Sequence, residues 1–94
     1  MSYFAVTYAY TDDTAARDEL RPAHREFLAA QATLALSGPT DDDGALLLFE
    51  AGSADEVATL LDEDPFATAG LVAERSVVGW NPVLGPWREQ LGLS

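Results

Sequence analysis

Residues 40–66, TDDDGALLLFEAGSADEVATLLDEDPF, hold the reading that decides the fold. Thr40 to Gly44 is an acidic turn between two apolar runs, as a hairpin loop would be. Ala45 to Ala51 (ALLLFEA) is the strongest strand in the chain, apolar on both faces until Glu50. Ser53 with Glu56 three residues later makes a capping box, the signature of a helix start. The helix it opens carries Val57, Leu60 and Leu61 on one side and ends near Asp64–Pro65. Turn, buried strand, capped helix and stop thus follow one another without a linker.

Outward from that core the pattern repeats. Upstream, Tyr3 to Tyr10 alternates Phe4, Val6, Tyr8 and Tyr10 with Tyr3, Ala5, Thr7 and Ala9, a first strand. Asp12, Asp13 and Thr14 offer helix caps, and Ala15 to Leu20 allows a short turn of helix. Proline is favoured at a helix's first position, so the main helix is expected from Arg21–Pro22 to about Thr33. Leu34 to Ser37 reads as a second strand ending in Gly38–Pro39. Downstream, Phe66 to Gly70 is a short connection with room for one helical turn. Leu71 to Trp80 is a fourth strand closed by Asn81–Pro82, and the tail Val83 to Ser94 has no assigned packing. The order is β-α-β-β-α-β, a ferredoxin-like α+β fold: one four-stranded antiparallel sheet with two helices on one face. Residues 1–94 form a single domain, with a core over about 3–83 and a tail over 84–94. Strand three is apolar on both sides, and strand four adds Val77, Val78 and Trp80. The second sheet face therefore needs a cover, and a second copy of the sheet, in a face-to-face homodimer, is the simplest one.

The chain has 94 residues, 16 acidic and five basic, for a formal charge of −11, and every base is an arginine. Five scattered arginines in an acidic field argue against nucleic-acid binding, and an anionic membrane repels such a surface. The N-terminus, MSYFAVTYAY, has no basic segment ahead of its apolar stretch, which argues against a secretory signal. The expectation is a cytoplasmic protein. Hydrophobic residues make up 48% of the sequence, more than one small core uses readily, which again favours association.

The single histidine carries most of the functional argument. With about 100° between successive helical residues, His24 falls between Leu20 and Phe27 on one side and Leu28 on the other, on the sheet-facing stripe. Imidazole changes charge near neutral pH and serves as a general acid or base. The competing reading is a buried histidine satisfied by a backbone carbonyl. Asp64 precedes a proline, which biases it to an extended backbone just after a helix. Either it is an ordinary turn residue, or it folds back onto the imidazole and fixes its tautomer. Asp62 and Glu63 read as solvated helix-end residues. Asp41, Asp42 and Asp43 lack the ligand spacing of a calcium loop, and a lone histidine without cysteines builds no zinc site. No cofactor or metal is expected.

The string Arg21-Pro22-Ala23-His24 on an amphipathic helix, then Ser37-Gly38-Pro39, then strand, helix and Asp64-Pro65-Phe66, resembles the YciI-like family of the dimeric α+β barrel superfamily, to which muconolactone isomerases also belong. The resemblance runs over about residues 3–83. It implies a dimer through the sheet face and a pocket between sheet and helices. It also implies a catalytic pair at His24 and Asp64, with Arg21, Ser37 and Gly38 as substrate-binding positions. The hairpin loop TDDDG is shorter than in many relatives.

The function that follows is a cofactor-free lyase or isomerase, with dehydrochlorinase or lactone-isomerase chemistry on a small cyclic or aromatic-derived metabolite. His24 would be the acid/base, Asp64 its orienting partner and Arg21 the holder of a carboxylate or enolate oxygen. The alternative is a non-catalytic ligand-binding domain using the same pocket; a monooxygenase is a third reading. Three of the five arginines, Arg17, Arg21 and Arg25, fall on or beside the His24 helix. In so acidic a chain, that concentration points to an anionic substrate.

Overall fold

The computed structural model describes residues 2–93. Four strands, β1 (Ser2–Tyr10), β2 (Leu34–Thr40), β3 (Gly44–Ala51) and β4 (Val72–Trp80), form one antiparallel sheet in the order β2-β3-β1-β4. Three α-helices, α1 (Thr14–Ala29), α2 (Ala54–Leu61) and α3 (Pro65–Thr68), and a 3-10 turn at Pro86–Arg88 complete the fold. This is the expected split β-α-β-β-α-β arrangement, with the connection after α2 folded into a third helix. β3 sits between β1 and β2, so β1 pairs with β3 and β4, through Val6↔Leu47 and Val6↔Val77.

One face of the sheet packs on the helices. Val6, Tyr8, Ala45, Leu47, Phe49 and Ala51 point there and meet Leu28, Val57 and Leu61. Leu47, Phe49, Val6 and Leu61 are almost wholly removed from water, each contributing about 1.5–3 kcal/mol. Val77 joins this core at its edge, so of the strand-four residues expected on the open face only Val78 and Trp80 lie there.

The main helix departs from expectation. It begins at Thr14, seven residues before Arg21, and ends at Ala29 with Pro22 in its interior. Asp13 supplies the cap, its Oδ1 accepting from Ala16 N at 3.1 Å. Pro22 has no N–H for the Asp18 carbonyl, but Asp18 and Pro22 are exposed, on the side of the helix where solvent can take up a freed carbonyl. Arg17 on one side of the proline and His24 and Leu28 on the other are buried on one stripe, and that packing carries the helix through. The second strand also runs further than expected, to Thr40, with Pro39 opposite Ala45. β2 is an edge strand, where proline is tolerated. The hairpin turn is correspondingly tight, with Asp43 in the left-handed region at φ 59°. Gly44 is obligatory, since a Cβ there would meet the Tyr8 carbonyl oxygen at 2.2 Å.

The capping box forms in a shifted version. Glu56 N donates to Ser53 Oγ at 3.2 Å, while the Glu56 carboxylate accepts from Gly52 N at 3.1 Å, one residue ahead of the cap. The tail, unassigned from sequence, folds back onto the sheet: Tyr3 Oη donates to the Leu91 carbonyl, and Arg88 Nε donates to the Pro82 carbonyl at 2.9 Å. Its cover explains why Tyr3 is buried on the otherwise open face.

Candidate active site

Asp64 is the pivot. Its backbone is extended ahead of Pro65 (φ −59°, ψ 129°), and its side chain caps α3 by accepting from Phe66 N at 3.0 Å. Proline at the first helical position presets that turn. The same Oδ1 lies 2.8 Å from His24 Nδ1, and Oδ2 accepts from Tyr8 Oη at 3.0 Å. Asp64 is 0% exposed; three donors compensate the removal of its carboxylate from water. The network thus joins β1, α1 and the start of α3.

A carboxylate only accepts, which places an imidazole proton on His24 Nδ1. Nε2 is left without a proton, as a hydrogen-bond acceptor. The imidazole is also clamped by stacking on the Phe66 ring, with centroids 4.0 Å apart and planes 9° from parallel. Phe66 meets Tyr10 edge-on at 5.4 Å, and Tyr10 meets Tyr8 at 5.9 Å. Burial, together with the charge and hydrogen bond of Asp64, pushes the Tyr8 phenol well above its ordinary value. Tyr8 therefore stays a neutral donor at physiological pH. Burial likewise raises the Tyr10 phenol, with Arg17 and Arg21 acting in the opposite direction.

His24 opens on a cavity of about 320 Å³ between α1 and the β2–β3 hairpin. α1 lines it with Arg17, Arg21, His24 and Arg25, and β2 with Ser37 and Gly38. All five residues singled out from sequence therefore gather here: His24 and Asp64 in direct contact, and Arg21, Ser37 and Gly38 around the cavity that His24 lines. Arg21 Nη1 is engaged by Asp18 Oδ1 at 2.7 Å. Gly38 has nothing within 4 Å of where a Cβ would stand. Asp62 and Glu63 are exposed, and Asp62 pairs with Arg75 at 3.0 Å. Among the described residues, no group of three or more His, Cys, Asp or Glu side chains is placed to hold a metal. None of the helices described is long and apolar enough to cross a membrane.

Sequence reasoning missed Tyr8 and Phe66. A tyrosine on the core-facing side of a buried strand needs a partner for its hydroxyl, which was a signal for Tyr8. Phe66 enters the sequence reading only as part of the Asp64-Pro65-Phe66 string, with no role assigned to its ring.

The family model of the YCII-related domain matches residues 1–81. The chain belongs to that family. Among solved structures, 5-chloro-2-hydroxyhydroquinone dehydrochlorinase (TftG) from Burkholderia phenoliruptrix AC1100, in complex with 2,5-dihydroxybenzoquinone, is similar at 30% identity and a TM-score of 0.75, covering 84% of this chain and 93% of its own. An uncharacterized NIPSNAP domain protein from Burkholderia xenovorans shares the fold at 14% identity and a TM-score of 0.56, over 88% of this chain and 95% of its own. Protein Atu4242 from Agrobacterium tumefaciens does so at 15% and 0.57, over 88% and 94%. None of the curated proteins matches the chain in sequence.

Proposed function

We propose that this protein is a cofactor-free lyase-type enzyme that moves a proton on a small anionic ring compound, with His24 as acid/base and Asp64 as its positioning residue. The observation that carries this reading is the buried contact between Asp64 Oδ1 and His24 Nδ1 at the wall of an arginine-lined cavity. A base whose tautomer and orientation are held by a third group is a recurrent catalytic arrangement. Likeness to a dehydrochlorinase with a quinone bound supports loss of hydrogen chloride from a chlorinated hydroxylated ring as the reaction type. In such a step the ring is first in its keto form, with a proton moved from a ring hydroxyl to the chlorine-bearing carbon. His24 Nε2 then takes the proton of a second hydroxyl, whose oxygen becomes a carbonyl as the ring double bonds shift and the carbon–chlorine bond breaks. The bonding pair leaves with chloride, and the imidazolium, stabilised by Asp64, returns the proton to solvent. Arg21, Ser37 and Gly38 would contact the substrate around the cavity. Two copies would associate through the open sheet face, where Leu36, Leu46, Val78 and Trp80 are each about half exposed.

The test is chloride release from 5-chloro-2-hydroxyhydroquinone by the wild-type protein and by His24→Ala. Turnover is expected to fall by roughly 10²–10⁴-fold in the variant. Equal release would remove His24 from the chemistry. Ligand binding without release by the wild type would make the protein a binding domain.

A further inference from the structure

Among the described residues, two buried side-chain polar atoms have no hydrogen-bond partner, Thr11 Oγ1 and Arg17 Nε, and Arg17 is the charged one. Its side chain is 8% exposed, and its buried Nε has no hydrogen-bond partner among the described residues. Its one ion-pair partner among them is Asp43, with Nη2 to Oδ1 at 3.6 Å, longer than a hydrogen bond. Asp43 is 80% exposed on its side chain and sits on the tip of the β2–β3 turn in the left-handed conformation. It is therefore held loosely and solvated well. A buried guanidinium with an unmet donor carries a desolvation cost that a second, better-placed anion would relieve. Arg21, by contrast, already has a carboxylate at 2.7 Å and is 38% exposed.

The surroundings define the shape of that anion. Arg17 lies over the Tyr10 ring at 4.8 Å, Tyr10 abuts Phe66, and Phe66 stacks on His24. One continuous aromatic wall thus joins the unmet guanidinium to the imidazole. The two residues are separated by two turns of α1, about 10 Å along its axis. That is the reach of a single six-membered ring with a hydrogen bond at each end.

We infer that Arg17 is the anion-receiving residue of this cavity, and that Asp43 is a resident carboxylate which the ligand's acidic oxygen displaces. The ligand class is a flat, quinonoid or phenolic ring carrying an ionised oxygen, which accepts from the terminal nitrogens of Arg17, beginning with the Nη2 that Asp43 faces. The inference rests on the proposed function for the location of the chemistry at His24, but its own content is where the charge goes.

Calorimetric titration separates the two. The probe is 2,5-dihydroxybenzoquinone, a vinylogous acid that is ionised at neutral pH, compared with its neutral dimethyl ether. The wild type is expected to prefer the anion by about tenfold or more. Arg17→Gln should abolish that preference, and Arg17→Lys should restore part of it. Asp43→Asn, which tolerates the same turn conformation, should tighten the anion several-fold and leave the neutral ether unchanged. His24→Ala should keep the anion preference while losing turnover; unchanged turnover there would sink the enzyme reading and leave this one standing. Equal affinity of the wild type for both probes, or no binding of the anion at millimolar concentration, would overturn the inference. So would an undiminished preference in Arg17→Gln with a native melting curve. If Arg17→Gln does not fold, unchanged anion affinity in Asp43→Asn overturns it by itself.

Discussion

On the helix-covered face of the sheet, β1 presents Val6, Tyr8 and Tyr10; on the opposite face it presents Tyr3, Ala5 and Thr7. Under the helices lies the apolar core, and Asp64 has three donors while Arg17 Nε lacks an acceptor. On the open face Leu36, Leu48, Ala5 and Val78 line up in one row across all four strands. Leu36 and Val78 at its two ends are more than half exposed. One face is short of a polar ligand, the other of an apolar cover. In the proposed reading the same alternating strands divide two tasks, because successive side chains point to opposite sides. The chemistry proposed for His24 lies where groups can be fixed in a low-dielectric interior, and the proposed association where apolar area is still in water.

The sharpest way to break this division on the covered face is Asp64→Ala. The variant loses a helix cap, worth about 1 kcal/mol. It also strands the buried Tyr8 hydroxyl and His24 Nδ1, each at roughly 1–3 kcal/mol. A loss of about 3–7 kcal/mol in urea denaturation is expected, with Asp64→Asn milder because its Oδ1 still accepts. A loss under 1 kcal/mol would show that water replaces the carboxylate and that the network is not structural. On the open face the counterpart is Leu46→Asp. Leu46 is about half exposed in the single chain, so the fold itself should lose only about 1–2 kcal/mol. If two sheets pack face to face, the same change buries a charge and converts dimer to monomer in analytical ultracentrifugation. A variant that sediments like the wild type would remove the sheet face as the interface.

The legibility of these two regions in the sequence differed for a physical reason. β3 and the Ser53–Glu56 box are local: the strand is read from an unbroken apolar run and the cap from two residues three apart. A histidine on an apolar stripe and an aspartate before proline each leave a structural and a functional reading open, and it is the resemblance to the YciI-like family that implies the pairing of His24 with Asp64. Arg17 was harder to place. It lies on the far side of Pro22, and local propensity argues for a break there. Only tertiary burial of Arg17, His24 and Leu28 on one line carries the helix through. Asp43 reaches Arg17 from a turn whose conformation is set by the close approach of Gly44 to the Tyr8 carbonyl, a contact between β1 and β3 that no local pattern encodes.

Alkaline pH gives a smaller effect that bears on the covered face alone. The Tyr8 phenol is raised in the folded protein by burial and by Asp64. In the unfolded chain it ionises near its ordinary value, about 10. The neutral phenol's contribution is therefore complete below about pH 10 and is lost as pH rises from there toward the folded value. Denaturation midpoints measured from neutral to strongly alkaline pH should fall above that point, and Tyr8→Phe should flatten the part of the decline due to Tyr8. An identical decline in the variant would assign it to Tyr3 and Tyr10, whose phenols are also raised.

The smallest structural effect tests the edge where the two faces meet. Gly38 is exposed on β2, lines the arginine cavity and has open space where a Cβ would stand. Its backbone needs no positive φ, since the glycines with one are Gly70, Gly85 and Gly92. Gly38→Ala should therefore leave the fold unharmed, or stabilise it by about 0.4–1 kcal/mol through the unfolded chain. The added methyl group, opposite Leu46 in the register, stands on the open sheet face and not in the cavity. Affinity for 2,5-dihydroxybenzoquinone should therefore be unchanged in Gly38→Ala, while a dimer packed through that face would be weakened in analytical ultracentrifugation. Binding and association then move independently, as two separate faces require. A loss of affinity with association intact would place the ligand on the open face and break the division.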